Sequence, residues 1–478
     1  MSDNNTNDVH SPVVVAKAGL WYTVCTFLLK AMAFLTTPFY ARYMSKAELG
    51  GFTDFASVAS TMLVITSLDL SQSIIRSKSE HKEDMDSYIW SILSLSTIWT
   101  LVVYTVFLVF PDFFASILKM DWKYIHILFW YLLAAPPYTM LITKQRAFYQ
   151  YKRFVLLTGI MTISGIVMAF FLVLTMQDKL TGRIIGYYTP HIVFGLLIFV
   201  FIVIRGKTIK MKYWEYASKM CLPLVPHSLS LNILGVSDIL LITRLCGREY
   251  TAYYSIAYSA YHVASVFLDA LNKAWSPWLL DSLHLKNYDQ IKKVSKIYIT
   301  VFALIIIGVL LVVPEVVLVI GGKQYMKSIY CLPAMITSCV FLFIFTMYVN
   351  IEFYEKKTVG VSIATMIGTS VNIVLNLLLL PIYPENCHII AAYTSLIGYM
   401  VLLVIHYYIV RRMKMDHVYD IKFILGVLGF VMVFAAVMNV LYGVTIIRWA
   451  VIVVYTGIML YLIYKYKEQL IALFLKKR

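Results

Sequence analysis

A small set of ionisable residues lies inside long apolar stretches of the sequence, where a charge is costly unless it faces a cavity or a partner. The set comprises Lys30, Asp54, Asp69, Asp238, Asp269, Lys273 and Glu315. A buried lysine provides a cationic site for an anionic substrate, whereas a buried carboxylate can hold a coupled proton or Na⁺. These residue types therefore indicate that the protein binds or moves a charged solute.

The two lysines of this set each allow two interpretations. Lys30 lies near the middle of its apolar stretch, so it is either an ion-pair partner of Asp69 or Asp269 or a binding site for an anion. Lys273 lies four residues after Asp269 on the same helical face, so an intrahelical ion pair is the alternative to substrate binding. Both interpretations stay open at the level of the sequence.

The carboxylates are the candidates for ion coupling. Asp69, Asp269 and Asp238 are the residues that we expect to couple transport to H⁺ or Na⁺, and we expect no other cofactor. Asp54 and Asp238 lie near the ends of their apolar stretches, where hydration at the membrane interface is the expected state ahead of ion binding.

Three tyrosines form a candidate lining for a cavity. Tyr254, Tyr258 and Tyr261 follow an i, i+4, i+7 spacing, which places them on one helical face. Such stripes usually serve packing or lie at the membrane interface. This one shares its apolar stretch with Asp269 and Lys273, and aromatic faces suit sugar rings.

Motifs for catalysis or metal binding are missing from the sequence. It contains no P-loop, no Gly-x-Ser-x-Gly elbow and no His-Glu-x-x-His motif. The 6 cysteines are scattered without a Cys-x-x-Cys spacing, which indicates neither a zinc site nor a disulfide framework. We therefore predict that the protein is not an enzyme and holds no metal.

The elements that carry these residues are predicted to be membrane-spanning helices. Of the 478 residues, 60% are hydrophobic and only 14% are charged, far from the composition of a soluble domain. About fourteen apolar stretches are each long enough to cross a bilayer. They cover residues 18–41, 51–75, 87–110, 124–143, 154–176, 184–204, 220–243, 250–280, 297–320, 329–351, 358–381, 389–410, 423–442 and 446–464. The fold class is therefore an all-α polytopic membrane protein.

The distribution of basic residues predicts the orientation of the chain in the membrane. The net charge is +16, and roughly two-thirds of the 41 lysines and arginines fall in the segments that are cytoplasmic if the N-terminus is cytoplasmic. This bias predicts a multi-pass membrane protein with both termini in the cytoplasm. Because the positive charge has this explanation, we expect no nucleic-acid partner.

A short internal repeat suggests two lobes. Residues 42–52 and 244–253 align in their arginine, basic, glutamate and aromatic positions, and both follow an odd-numbered stretch. Chance is the alternative for so short a match; a true match indicates a parallel repeat of six helices. Lys30 and Asn232 each lie twelve residues before the first arginine of their motif, which makes Asn232 a further candidate for substrate binding.

The repeat predicts the domain organisation. Two pseudo-symmetric six-helix lobes are followed by a C-terminal helix pair. The predicted boundaries are a cytoplasmic tail at 1–17, an N-lobe at 18–204, a cytoplasmic linker at 205–219, a C-lobe at 220–410, helices 13 and 14 at 411–464, and a basic cytoplasmic tail at 465–478.

Several segments resemble the Wzx-type O-antigen and polysaccharide flippases of the multidrug/oligosaccharidyl-lipid/polysaccharide (MOP) exporter superfamily. They are PFYARYMSKAELG at 38–50, LPLVPHSLSLNILGVSD at 222–238, ALNKAWSPW at 270–278, and EFYEKKT at 352–358 followed by Asn372 and Asn376. The stretch at 383–392 departs from the Gly-rich pattern usual in that family. The resemblance implies the fold of the MATE and MurJ branches of this superfamily.

The resemblance also implies a function. Such flippases move undecaprenyl-diphosphate-linked oligosaccharide, including O-antigen units of lipopolysaccharide, across the inner membrane by alternating access. Lys30 occupies the position at which related peptidoglycan lipid flippases place a cavity arginine. The implied partners are this lipid-linked glycan, membrane lipid, a polysaccharide polymerase and a chain-length regulator.

Three alternatives remain at the level of the sequence. A cation-coupled multidrug exporter of the same superfamily would favour acids over lysines in its cavity. A polytopic glycan polymerase or acyltransferase would need a large outer loop or a His/carboxylate site, and neither is apparent. A purely structural membrane protein would leave the intramembrane charges without a role.

Overall fold

The chain folds into helices throughout the part that the computed structural model describes, residues 12–355 and 358–475. The α-helices are α1 Pro12–Tyr43, α2 Lys46–Ser67, α3 Ser73–Glu80, α4 Met85–Val109, α5 Pro111–Leu118, α6 Trp122–Ala147, α7 Tyr151–Thr175, α8 Lys179–Gly206, α9 Met211–Cys221, α10 Val225–Leu245, α11 Arg248–His284, α12 Tyr288–Leu311, α13 Val313–Ile320, α14 Leu332–Tyr354, α15 Thr358–Leu379, α16 Cys387–Arg412, α17 Ile421–Leu441 and α18 Thr445–Leu475. Short 3₁₀ segments occupy Leu70–Gln72, Lys82–Asp84, Leu222–Leu224, Lys323–Tyr330, Pro384–Asn386 and Asp416–Val418.

The predicted membrane architecture is confirmed. Within the described residues, twelve helices are long and apolar enough to cross a membrane. The predicted spans 18–41 and 250–280 correspond to α1 and α11, which include side chains outside the described part of the chain. The protein is an all-α, multi-pass membrane protein.

Two predicted spans are interrupted. The span predicted at 51–75 ends as α2 at Ser67, because Leu68 and Asp69 both adopt left-handed backbone conformations with φ of 51°. The span predicted at 297–320 divides into α12 and α13 at Val312, just before Pro314. Hydropathy stays high across the second break, so apolar composition alone did not reveal it. A proline is well suited to the start of a helix, where its missing N–H would have no partner within the helix.

A polar contact fixes the segment that precedes α9. Lys210 places its Nζ 2.5 Å from Oδ2 of Asp84, and its backbone N–H donates to Oγ of Ser91 at 2.9 Å. The hydrogen bond from Lys210 lowers the pKa of the Asp84 carboxyl to about 2. The predicted linker at 205–219 is thus held against the segment between α3 and α4.

The chain forms two compact units, the first made of residues 1–255 and 365–391. Within it, α8 packs against α7 through glycines that allow their backbones to meet. A Cβ at Gly186 would lie 2.4 Å from Cα of Ala169, and one at Gly182 would lie 2.8 Å from the Leu172 carbonyl oxygen. This helix pair therefore requires small residues at both positions.

The second unit comprises residues 256–364 and 392–478. Within it, α12 packs against α14, α17 and α18. Arg448 on α18 binds Glu315 on α13 through both guanidinium Nη atoms, at 2.6 and 2.5 Å, and donates to the Leu311 carbonyl at 2.9 Å. This bidentate ion pair attaches the last helix to the unit. The predicted lobe boundaries stay a prediction.

Candidate functional site: a polar seam between α2 and α10

Three polar contacts follow one another along the antiparallel helices α2 and α10, which pack side by side in the first unit. In order along α2, the pairs are Asp54 with Arg244, Thr61 with Asn232, and Asp69, just past the helix end, with Ser228. Their separations of seven and eight residues on the α2 side place them on one face. We call these three pairs the polar seam.

The first pair of the seam is an ion pair whose carboxylate is closed off from solvent. Nη1 of Arg244 donates to Oδ1 of Asp54 at 2.6 Å, and Asp54 has no accessible surface. The same guanidinium donates through Nε to the Ile117 carbonyl on α5. The expectation that water solvates Asp54 is wrong, because the approach of α10 covers its carboxylate.

The ends of α2 and α11 meet beside this ion pair. A Cβ at Gly50 would lie 1.9 Å from the carbonyl oxygen of Arg248, so only glycine permits the approach. Nζ of Lys46 donates to the hydroxyl of Tyr253 at 2.8 Å. Lys119 donates to the Arg244 carbonyl at 2.6 Å. The two repeat motifs predicted from the sequence are therefore in direct contact.

The middle pair of the seam includes a predicted site residue. Oγ1 of Thr61 donates to Oδ1 of Asn232 at 3.0 Å, and both side chains are partly buried. Thr61 was not a candidate in the sequence because threonine is common in apolar helices. Its position opposite Asn232 depends on how α2 and α10 pack.

The third pair lies at the break after α2. Oγ of Ser228 donates to Oδ2 of Asp69 at 2.6 Å. Asp69 has a positive φ and precedes the 3₁₀ segment Leu70–Gln72, so its carboxylate lies at a helix end and not within a continuous span. Left-handed backbone at a non-glycine residue costs roughly 1–2 kcal/mol and is often found at functional sites.

A second polar cluster, centred on the carboxylate of Asp238, lies on another side of α10. Asp238 accepts hydrogen bonds from Nδ2 of Asn376 at 2.6 Å, Nδ2 of Asn372 at 3.1 Å and the hydroxyl of Tyr254 at 2.5 Å. All four side chains are buried. The expected interfacial hydration of Asp238 is also wrong, because side chains from α11 and α15 take the place of water.

The tyrosine stripe divides between the two units. Tyr254 is buried in the first unit against Asp238. In the second unit, the rings of Tyr258 and Tyr261 stack with centroids 5.6 Å apart, and Tyr258 meets His262 edge to face at 4.6 Å. Tyr258 and Tyr261 remain partly accessible, as a stacking surface for a ligand requires.

The remaining candidates lie on α1 and α11. Lys30 lies on α1 and Lys273 on α11, but both side chains are outside the described residues. Asp269 is half-buried on α11. Close to Lys273 in sequence, Asn272 accepts from Nδ2 of Asn350 on α14 at 3.3 Å. This amide pair was missed, since a lone asparagine in an apolar stretch carries no distinctive spacing.

Arg183 is another residue that the sequence did not single out. Its guanidinium lies over the rings of Tyr40 on α1 and Phe52 on α2, 3.7 and 3.8 Å from their centroids. From the sequence it counted only as an outer-loop charge. Cation–π contact on both faces holds this arginine between α1, α2 and α8.

These arrangements can bind a ligand through polar side chains. Within residues 12–355 and 358–475, no group of three or more His, Cys, Asp or Glu side chains is arranged to hold a metal ion. The seam and the Asp238 cluster instead supply hydroxyls, amides and carboxylates in an apolar surrounding. Such groups suit the recognition of a polar solute or a monovalent cation.

Comparison with solved structures identifies the fold. "Lipid II flippase MurJ, inward closed conformation" matches with a TM-score of 0.70 at 15% identity, covering 94% of this chain and 100% of the other. A multidrug resistance MATE family transporter of the MOP superfamily in its inward-facing conformation matches with a TM-score of 0.53 at 13% identity, covering 83% and 95%. A point mutant of the Vibrio cholerae MATE transporter VcmN gives 0.52 at 13%, covering 84% and 98%. The protein has the MurJ/MATE-like fold.

Comparison of the sequence identifies the family. No curated protein sequence matches the chain significantly. The family model described as "Polysaccharide biosynthesis protein" matches residues 15–283, more than half of the chain. This family and the fold are those of flippases and transporters and not of catalytic enzymes. The chain belongs to the polysaccharide biosynthesis protein family, within the MOP superfamily of flippases.

Proposed function

We propose that the protein is a flippase that translocates undecaprenyl-diphosphate-linked oligosaccharide across the bacterial inner membrane by alternating access. The observation that carries the proposal is that a chain of the polysaccharide biosynthesis family has the fold of a solved lipid II flippase. A surface polysaccharide repeat unit such as O-antigen is the proposed glycan. A polymerase and a chain-length regulator are the proposed protein partners.

The proposed binding groups divide by substrate chemistry. The diphosphate is anionic, and Lys30 and Lys273 are the proposed cationic partners within the apolar helices. Asn232 lies on the polar seam and, like Lys30, twelve residues before the first arginine of its motif, and it is proposed to donate or accept hydrogen bonds with the substrate. Tyr258 and Tyr261 are proposed to stack on sugar rings, with Tyr254 positioned by Asp238.

Alternating access is supported by the closure of the seam at the Arg244 end. Asp54 and Arg244 are joined, Gly50 contacts the backbone of Arg248, and Lys46 binds Tyr253. Opening that end would require these contacts to separate together. We propose that this is the periplasmic side of the protein, on the basis of the distribution of lysine and arginine.

Ion coupling is proposed through the buried carboxylates. Asp238 is surrounded by the side-chain amides of Asn372 and Asn376, whose oxygens could turn towards a cation such as Na⁺. Asp69 and Asp269 are the other proposed coupling residues for H⁺ or Na⁺. Replacing Asp238 with asparagine would remove the negative charge while keeping the side-chain size.

Substitution of Lys30 tests the flippase proposal. In a strain that lacks its own flippase, we expect Lys30→Ala to lose surface glycan and to accumulate lipid diphosphate-linked oligosaccharide, measured by gel electrophoresis and mass spectrometry. Lys30→Arg should retain export if positive charge is the requirement. The matched control is Lys152→Ala, since Lys152 is exposed on α7.

The level of inserted protein is measured by immunoblot for all three variants. Wild-type surface glycan in a normally inserted Lys30→Ala variant would refute the role of Lys30. An unchanged pool of lipid-linked oligosaccharide after depletion of the wild-type protein would refute the flippase itself.

A cation-coupled multidrug exporter is the second candidate, because a MATE family transporter shares the fold with a TM-score of 0.53. This function predicts increased drug resistance on overproduction and loss of that resistance in Asp238→Asn. If overproduction leaves drug susceptibility unchanged and the wild-type protein restores surface glycan in the strain that lacks its own flippase, the glycan flippase is the supported function.

A further inference from the structure

Helices α14 and α16 meet through a glutamate–histidine pair that protein encloses completely. Nδ1 of His406 lies 2.6 Å from Oε1 of Glu352, and neither side chain has accessible surface. The ring of Phe345 stacks on the imidazole with centroids 5.3 Å apart. A Cβ at Gly360 on α15 would lie 3.6 Å from Oε2 of Glu352.

The outward-pointing atoms of this pair have nothing to bind. Oε2 of Glu352 and Nε2 of His406 have neither a hydrogen-bond partner nor contact with solvent. A carboxylate beside a neutral imidazole would leave a net negative charge in this enclosure, and an unpaired buried charge costs several kcal/mol. With one proton between Oε1 and Nδ1 and a second on Nε2, the pair is neutral overall, and the enclosure then holds no unpaired charge.

Several titratable groups on the surrounding helices have partners of their own, and Arg411 and Arg412 at the end of α16 are exposed. The rings of Tyr348 on α14 and Tyr407 on α16 meet edge to face at 6.1 Å. Lys296 on α12 pairs with Asp420, before α17, at 2.6 Å. Tyr419 donates to the Met347 carbonyl at 3.2 Å.

The helix that covers the outer oxygen of the glutamate is uncharged. From Gly360 to Leu379, α15 contains no ionisable side chain. Lys356 and Lys357, which follow Glu352 closely in sequence, lie outside the described residues. The charge on the pair is therefore set by its own proton within the described surroundings.

A second pair in the same unit, between a carboxylate and a buried arginine, provides the contrast. Glu315 binds Arg448, and a guanidinium does not give up its proton in proteins. That pair is a fixed structural contact. An imidazole titrates near neutral pH, so the replacement of arginine by histidine converts the same contact into one that can exchange a proton.

We propose that Glu352 and His406 form a proton-binding site that is loaded in this packed arrangement and empties when α14, α15 and α16 separate enough to admit water. On release, the proton shared by Oε1 and Nδ1 passes to water and leaves a carboxylate and a neutral imidazole. This role rests on the proposed transport function. It adds a proton-coupling site to the carboxylates proposed above for ion coupling. Because loss of the proton disfavours the enclosed state, alkaline conditions shift the equilibrium towards the hydrated one.

Proton release from the purified full-length protein tests the site without any substrate. A pH-indicator dye counts the protons released during a step from mildly acidic to alkaline buffer. We expect Glu352→Gln and His406→Gln each to release about one proton per molecule fewer than the wild type. The matched control Glu315→Gln should keep the wild-type count near neutral pH, since Arg448 holds its proton.

Size-exclusion chromatography establishes that each variant is folded. If the single variants do not fold, the double variant Glu352→Leu/His406→Leu removes both groups and keeps an apolar contact, and it should show the same loss. A wild-type proton count in folded variants overturns the proposal, whatever the outcome of the Lys30→Ala assay. Conversely, a lost proton together with unaffected glycan export at every pH overturns the coupling role.

Discussion

Asp54 is a carboxylate with one charged contact and one oxygen, Oδ2, that accepts no hydrogen bond. Arg244 therefore has to balance a charge that is fully removed from water. Breaking a buried ion pair by removing one partner commonly costs about 3–5 kcal/mol, whereas replacing both partners with apolar residues is often neutral. The stability of the seam thus depends on the pair as a unit.

Removal of the arginine alone should reveal this dependence. We expect Arg244→Leu to lower the free energy of unfolding by about 3–5 kcal/mol, because the Asp54 carboxylate stays buried without its partner. The double variant Asp54→Leu/Arg244→Leu should recover most of that loss. Thermal unfolding of the detergent-purified protein measures both. Equal losses in the single and double variants would contradict the buried-charge argument.

At the scale of single residues, the sequence identified which carboxylates lie in apolar stretches but not which side chains bind them. Asp54, Asp69 and Asp238 were recognised because an acid stands out in an apolar stretch, and their interactions were then found in the structure. Asp54 and Arg244 are separated by 190 positions. No local spacing predicts which side chain will cover a carboxylate from so far along the chain.

The packing of helix α8 depends on its glycine residues. Its glycines contact backbone atoms of α7, which brings the two helix axes closer than alanine permits. In membranes such close packing replaces the hydrophobic effect as the source of helix association. The α7–α8 pair should therefore be sensitive to a single added methyl group.

A pair of glycine substitutions tests this sensitivity. Gly186→Ala should destabilise the protein by roughly 1–3 kcal/mol, because the new Cβ would lie 2.4 Å from Cα of Ala169. Gly159→Ala on α7 is the matched control, since no atom lies within 4 Å of its Cβ and alanine favours a helix by about 0.5–1 kcal/mol. Both are compared by thermal unfolding. Similar changes in stability in the two variants would contradict the packing argument, since only the Cβ at position 186 meets a neighbouring helix.

The helices were the most predictable part of the structure. Long apolar stretches located the helices, since few other structures satisfy a backbone in lipid. The start of α2 also has a local signature, in which Ser45 and Glu48 form a capping box. The breaks at Leu68 and Val312 were not predicted, because those residues are themselves apolar.

On the scale of the whole molecule, the basic residues and the helix order predict which side of the membrane each segment faces. Two-thirds of lysine and arginine, roughly, fall on one side under the predicted topology. The positive-inside rule then places the turn at Pro384–Asn386 in the periplasm and the segment Asp416–Val418 in the cytoplasm. These two segments flank the same helix, α16.

Reporter insertions check this orientation. Alkaline phosphatase inserted at Pro384–Asn386 should be active, whereas the same insertion at Asp416–Val418 should be inactive because the enzyme matures only outside the cytoplasm. A green fluorescent protein fused after the last residue should fluoresce. Phosphatase activity at both insertion sites, or at Asp416–Val418 alone, would contradict a cytoplasmic C-terminus.

Architecture on this scale followed only partly from the sequence. The MurJ/MATE-like fold was expected from motifs spread across the chain, and the comparisons confirm it. The six-helix lobes stay a prediction. The contact between the motifs at 42–52 and 244–253 could not be predicted, because a repeat specifies that two segments are alike and not that they touch.

The two consecutive left-handed residues after α2 have a mechanical consequence. A continuous helix transmits torque and bending along its hydrogen-bonded ladder, but Leu68 and Asp69 interrupt that ladder before α3 begins. Rotation of α2 about its axis therefore need not turn α3 with it. The break after α2 leaves the backbone hydrogen bonds of α2 separate from those of α3.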